Sequence, residues 1–252
     1  MNKLQYCTVT GLWDRITIDW QDVDPSVNIL VGINGVGKTT LLNLIYESLM
    51  GVKPRRSIAQ SVVTNAVDVP VRYIRSFDVA QKRKTPDSQL LEDLKDVINQ
   101  NGRGSSFFDY RMQMLNYPER AATISARIER FFELVNSLFV ETAKKVLIQP
   151  QTNTLAFDMA GHTVIPLERL SSGEKQLLLI LTTVFLQDEQ PSVLLLDEPE
   201  VSLHITWQER LIHVLRELNP NCQLILTTHS PSIFASGWED KLVFISDLIK
   251  TR

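Results

Sequence analysis

The sequence predicts an α/β chain built around a mainly parallel sheet, and three observations carry that prediction. Short apolar runs, Val27 to Val31, Val193 to Leu196 and Gln223 to Thr227, read as strands buried on both faces. Between two of them lies the longer amphipathic run Leu203 to Leu218, and the apolar run Leu177 to Leu186 precedes the second. Strands that alternate with helices pair in parallel. The third observation is the stretch Gly32-Ile33-Asn34-Gly35-Val36-Gly37-Lys38-Thr39, which joins the first strand run to a helical run opening at Thr40 and stopping at Gly51. It fits G-x-x-x-x-G-K-[ST] in its required strand-loop-helix order.

In chain order, Leu4 to Thr10 and Arg15 to Trp20 read as strands separated by the turn Gly11-Leu12-Trp13-Asp14, a hairpin ahead of the glycine-rich loop. Trp13 or Arg15 could lie against a bound ring, or the aromatic could pack on its own sheet. After Gly51 the pattern loosens. A strand is expected over Val69 to Phe77, a loop over Gln81 to Ser88, a short helix over Gln89 to Gln100 and a break at Asn101 to Ser106. From Pro118 a long helix is expected, because Ile124, Ile128, Phe131, Val135, Leu138 and Phe139 recur at helical spacing. A hairpin over Lys145 to Ile148 and Thr154 to Phe157 leads through Val164-Ile165-Pro166-Leu167 into the second half of the core, whose last strand is expected at Lys241 to Ile245. The expected organisation is one domain over 1–252, with N-terminal hairpins and loop in 1–50, an inserted, mostly helical lobe in 51–150, and the rest of the core in 151–252.

Composition narrows the function classes. The longest apolar stretch, Leu177 to Leu186, falls far short of the roughly 20 residues of a membrane span, and the first residues lack a charged-then-apolar leader pattern. A cytoplasmic protein with no membrane partner is expected. Cys7 and Cys222 are the only cysteines, which argues against a disulfide framework or a metal ribbon. The net charge of −3 is uneven: residues 51–150 carry 16 Lys/Arg against 11 Asp/Glu, and the remainder 10 against 18. The middle is basic and the flanks acidic.

The glycine-rich loop explains its own residue types. Gly32, Gly35 and Gly37 allow a tight turn whose N–H groups, with those of Asn34, Val36 and Thr40 and the helix N-terminus, can face a polyphosphate. Lys38 adds a point charge at the terminal phosphates, and Thr39 offers a hydroxyl to Mg²⁺. Downstream, Val193 to Leu196 ends in Asp197-Glu198-Pro199, where Asp197 can hold the metal through water and Glu198 can polarise an attacking water as general base. Gln81 is a further candidate for the metal, or a plain loop residue. Thr227-Thr228-His229-Ser230-Pro231 follows a strand, so the His229 imidazole can hydrogen-bond a γ-phosphate and orient water.

Leu170-Ser171-Ser172-Gly173-Glu174-Lys175-Gln176 resembles the L-S-G-G-Q signature of ABC-type ATPases, departing from it at Ser172 and Glu174. That variant is similar to the soluble branch, the RecF-, SMC- and OLD-like ATPases. Glu200-Val201-Ser202-Leu203-His204 stands in the family's D-loop position. The resemblance implies a P-loop, ABC-type core that binds ATP and Mg²⁺ and hydrolyses ATP, with Glu198, His229 and Lys38 catalytic. It also implies that Ser171, Ser172, Gly173 and Glu174 act on the nucleotide of the opposite subunit, so ATP should drive association into a dimer or higher oligomer. The D-E-P-E…S-L-H and T-T-H-S-P variants resemble ATPase components of phage-defence systems of the PARIS, Septu and retron kinds, which implies a separately encoded effector. Two alternatives stand beside this one: a DNA-repair or chromosome-structure ATPase with Arg55, Arg56, Lys82, Arg83 and Lys84 on nucleic-acid phosphates, and, less favoured, a transporter ATPase.

Overall fold

Two antiparallel strands lead the chain into a parallel sheet. The computed structural model describes residues 2–77, 86–99, 106–150, 154–159, 161 and 163–250. Strands β1 (Cys7–Leu12) and β2 (Ile16–Trp20) form the first hairpin. Then follow β3 (Val27–Val31), α1 (Lys38–Leu49), β4 (Ser61–Thr64) and β5 (Val71–Ile74). Helices α2 (Pro86–Ile98), α3 (Phe107–Asn116) and α4 (Ala121–Leu138) make the lobe, and β6 (Lys144–Gln149), β7 (Thr154–Met159) and β8 (Thr163–Ile165) make a small antiparallel sheet. The chain returns through α5 (Ser172–Phe185), β9 (Ser192–Asp197), α6 (Ile205–Leu218), β10 (Cys222–Thr227) and β11 (Leu242–Phe244), and α7 (Ile245–Leu248) and β12 (Ile249–Lys250) follow.

The central sheet has the order β11-β3-β10-β9-β5, and every neighbouring pair in it is parallel. Alternate residues of its strands feed two separate cores, as the two-residue strand period requires. Ile29, Leu194, Leu196, Leu224 and Leu226 pack on the side of α2, α4, α5 and α6, whereas Leu30, Val193, Leu195 and Ile225 pack on the side of α1 and the hairpin. Both faces are covered, which is why these strands read as continuous apolar runs.

The structure refines several expectations. The stretch 51–150 supplies strands as well as helices: β4 pairs with β1 in the sheet β12-β2-β1-β4, and β5 closes the parallel sheet beside β9. Helix α3 was not anticipated; Ser106 starts it with a capping box to Asp109. Pro118 opens a 3₁₀ turn, and α4 proper begins at Ala121. The strand expected at Lys241 to Ile245 spans Leu242–Phe244, and the chain then turns back to pair β12 with β2. Gln81, Lys82, Arg83, Lys84 and His162 lie outside the described residues. Among the described residues, no helix is long and apolar enough to cross a membrane.

Candidate functional site

The ends of three neighbouring strands converge on the glycine-rich loop. β3 runs into it, β9 delivers Asp197 and Glu198, and β10 delivers Thr227 opposite Asp197 in register. Gly35 and Gly37 hold φ of 79° and 104°, values open to glycine and strained for other residues. At Gly37 space is short as well, since a Cβ there would stand 2.9 Å from the Trp13 ring. The tip of the first hairpin therefore leans on the loop, and Trp13 remains 41 % exposed. Of the two placements left open for Trp13, the ring sits beside the loop.

A cavity of about 660 Å³ opens here, lined by Trp13, Asn34, Gly35, Gly37, Lys38, Thr39, Thr40, Glu198 and His229. Lys38 is 5 % exposed, and its ammonium donates to the carbonyls of Gly32 at 3.1 Å and Ile33 at 3.4 Å and lies 2.5 Å from His229 Nε2. Burial pushes its pKa down, opposed by the charges of Glu198, Asp197 and Glu200. Asp197 is buried at the end of β9, where its Oδ1 accepts from Thr39 Oγ1 at 3.0 Å and Thr227 Oγ1 at 2.7 Å.

Glu198 has φ 47°, so the chain bends sharply as it leaves the strand. Thr227 Oγ1 accepts the Glu198 N–H at 3.0 Å and helps to fix that bend. The Glu198 carboxylate lies 3.5 Å from His229 Nε2. Burial and then the Asp197 charge raise its pKa above the usual carboxylate range, while His229 works against the shift. The arrangement can seat a polyphosphate on the loop N–H groups and Lys38, with a carboxylate and an imidazole beyond its far end. Thr39 and Asp197 supply two hard oxygens 3.0 Å apart, a donor set that suits Mg²⁺ shared with phosphate. Among the described residues no group of three His, Cys, Asp or Glu side chains offers a fuller cage.

Ser171 caps α5: its hydroxyl accepts from the Glu174 N–H at 3.3 Å, and the Glu174 carboxylate accepts from the Ser171 N–H at 2.8 Å. Ser171 and Ser172 are exposed. Glu174 is turned inward, 1 % exposed, with Lys144 Nζ 2.5 Å from its other oxygen. Gly173 is buried because the Ser202 carbonyl crosses it, and a Cβ there would stand 2.2 Å from that oxygen. None of the four signature residues lines the cavity at the glycine-rich loop. Sequence reasoning overlooked Thr227 and Lys144. The first was legible as the last residue of the strand before His229; the second carries no local signal, because its partner is 30 positions away.

Comparison with known proteins fits this geometry. The family described as "AAA domain, putative AbiEii toxin, Type IV TA system" matches residues 75–235, a stretch holding the signature turn, the acidic strand end and His229. The Septu protein PtuA of Bacillus mycoides is 24 % identical over 81 % of this chain and 34 % of its own length. The retron Vc95 probable ATPase of Vibrio cholerae is 30 % identical over 70 % of this chain and 37 % of its own. The chain thus spans about a third of the length of these two relatives. In structure it is similar to an SMC head solved with the C-winged helix domain of ScpA, with TM-score 0.59, 14 % identity and coverage of 93 % of this chain and 92 % of that one. The chain belongs to the AAA-domain family that its residues 75–235 match, carried on an α/β fold of the SMC-head kind.

Proposed function

We propose that this chain is an ATP-driven switch, which binds MgATP, hydrolyses it slowly, associates head to head while ATP is bound, and controls a separately encoded effector in cytoplasmic defence against phage. One observation carries the reading: the phosphate cavity and the exposed Ser171-Ser172 turn are separate surfaces of a single chain. Two copies facing each other would bring the turn of one to the nucleotide of the other, so that ATP itself joins the halves. The similarity to a Septu protein and a retron ATPase supports the defence setting.

In this reading the loop N–H groups and Lys38 hold the β- and γ-phosphates, Thr39 and Asp197 hold Mg²⁺, and Glu198 takes a proton from the attacking water. Bound Mg²⁺ would neutralise charge on the phosphate oxygens. Lys38 and His229, 2.5 Å apart, would both stand close to a γ-phosphate bound at the loop. Trp13 offers a flat surface beside the loop for the base.

The test is a Glu198→Gln protein. It should bind ATP, lose turnover by about a hundredfold or more, and grow in mass on adding ATP in light scattering. Wild-type turnover in that variant would remove Glu198 from the chemistry. Co-expression with neighbouring reading frames under phage challenge tests the effector, and full ATPase activity without protection or a co-purifying protein would favour the nucleic-acid alternative.

A further inference from the structure

We infer that Glu200 is a positioning residue for hydrolysis: with Gln208 it clasps the loop that carries His229 to the turn after β9, and so sets the imidazole through its backbone. The inference rests on the ATPase reading above and extends it to two residues without a role there. Glu200 Oε1 accepts the His229 N–H at 2.7 Å. The next residue is held as well, since Ser230 Oγ donates to Gln208 Oε1 at 2.6 Å. The Gln208 amide nitrogen donates in turn to the Leu203 carbonyl at 2.9 Å. Two consecutive residues of the histidine loop are thus tied to the 198–203 turn, one by a carboxylate and one by an amide on α6.

The turn is itself fixed to the signature helix. Gln176 Nε2 on α5 donates to the Pro199 carbonyl at 3.1 Å, and the Ser202 carbonyl sits against Gly173. A continuous set of polar and steric contacts therefore runs from the first turn of α5, through 199–203, to His229. Movement of the signature end would reach the His229 backbone by this route, because the segments are joined by hydrogen bonds and by the close approach of Ser202 to Gly173.

A second observation separates Glu200 from a residue that merely closes a turn. Its other oxygen, Oε2, is buried and has no hydrogen-bond partner among the described residues. A buried carboxylate oxygen left unpaired opposes folding, and a role confined to packing would favour a fully satisfied group.

The experiment compares wild type, Glu200→Ala, Glu200→Gln and Gln208→Ala by steady-state ATP hydrolysis and by amide hydrogen exchange across residues 227–233 without nucleotide. Loss of a charge-assisted hydrogen bond predicts that Glu200→Ala lowers kcat about tenfold, with KM for ATP within about twofold, because the phosphate loop is untouched. Exchange at His229 should quicken by about tenfold as its acceptor is lost. Glu200→Gln keeps an acceptor oxygen and should hold kcat within about threefold, and Gln208→Ala should show a smaller fall of the same kind. Wild-type kcat and exchange in Glu200→Ala, a change confined to KM, or a Glu200→Gln protein as slow as Glu200→Ala would each overturn the inference. Should Glu200→Ala fail to fold, the Glu200→Gln and Gln208→Ala arms decide the question. A wild-type protein that does not hydrolyse ATP would sink the proposed function, while His229 exchange would still decide whether the clasp exists.

Discussion

Lys38 is buried and Lys144 half-buried, and they keep different company. Lys38, 5 % exposed, faces two backbone carbonyls and an imidazole. Lys144, whose side chain is 14 % exposed, faces the Glu174 carboxylate at 2.5 Å. A cation held by backbone carbonyls, with no carboxylate in direct hydrogen-bond contact, can still turn to an anion that arrives later. A cation held by a buried carboxylate is already neutralised, and its place is to fix what the carboxylate touches. Here that is the Ser171 N–H, so Lys144 pins the signature turn while Lys38 waits at the phosphate loop. Under the proposed function Lys38 would serve ligand chemistry and Lys144 the scaffold that presents Ser171.

The largest expected effects divide along that line. Lys38→Ala should lower kcat/KM for ATP by about a thousandfold, since it removes a preorganised charge at the phosphates, and should leave thermal stability near wild type. Lys144→Ala should do the reverse. It leaves Glu174 buried without its cation, at a cost of about 3 kcal/mol in unfolding free energy, while ATP affinity of the single chain stays within a few fold. Denaturant titration and calorimetry read the two axes. A Lys144→Ala protein with wild-type stability would break the contrast.

Next in size is the signature turn itself. Ser171→Arg should weaken ATP-driven association of the Glu198→Gln protein by about tenfold or more, through bulk and charge at the joined site. Because Ser171 also caps α5, Ser171→Asp sharpens the result. It retains a capping oxygen, yet sets a negative charge where the partner's γ-phosphate would come, so it too should block association. Light scattering with and without ATP separates the cases, and an Asp variant that still associates would reduce Ser171 to a cap.

How far the sequence revealed all this follows the range of the forces involved. The geometry of the glycine-rich loop was legible because its demands are local: glycines at 35 and 37 where φ is positive, and Lys38 and Thr39 at the start of a helix. The central strands β3, β9 and β10 were legible because burial on both faces leaves largely apolar runs. Strand β5 lies inside the strand expected over Val69 to Phe77, whereas β4 was harder: it is an edge strand with Val63 exposed, so its pattern is weak. Helix α3 has mixed polarity and buries only Phe107 and Tyr110, which leaves little periodic signal. The inward turn of Glu174 was hidden for another reason: Lys144 meets it only in the folded chain, and a signature-like motif gives no hint of which members face inward.

A third lysine calibrates the comparison at its weak end. Lys241 Nζ lies 2.9 Å from Asp24 Oδ2, with both side chains partly exposed, at 26 % and 33 %. Burial works to raise the Asp24 carboxyl, but hydrogen bonds from Ser26 and Lys241 outweigh it and hold the pKa at about 2. A carboxylate whose pKa is lower in the folded chain stabilises the fold above its unfolded value of about 3.9, and that contribution fades as pH falls toward 2. Removing the cation with Lys241→Ala should therefore lower stability at neutral pH by less than about 1 kcal/mol, as expected for a partly solvated pair. Melting curves of both proteins should converge between pH 4 and pH 2. A difference that persists unchanged across that window would assign Lys241 to packing, and would show that the company a lysine keeps is a poorer guide here than its burial.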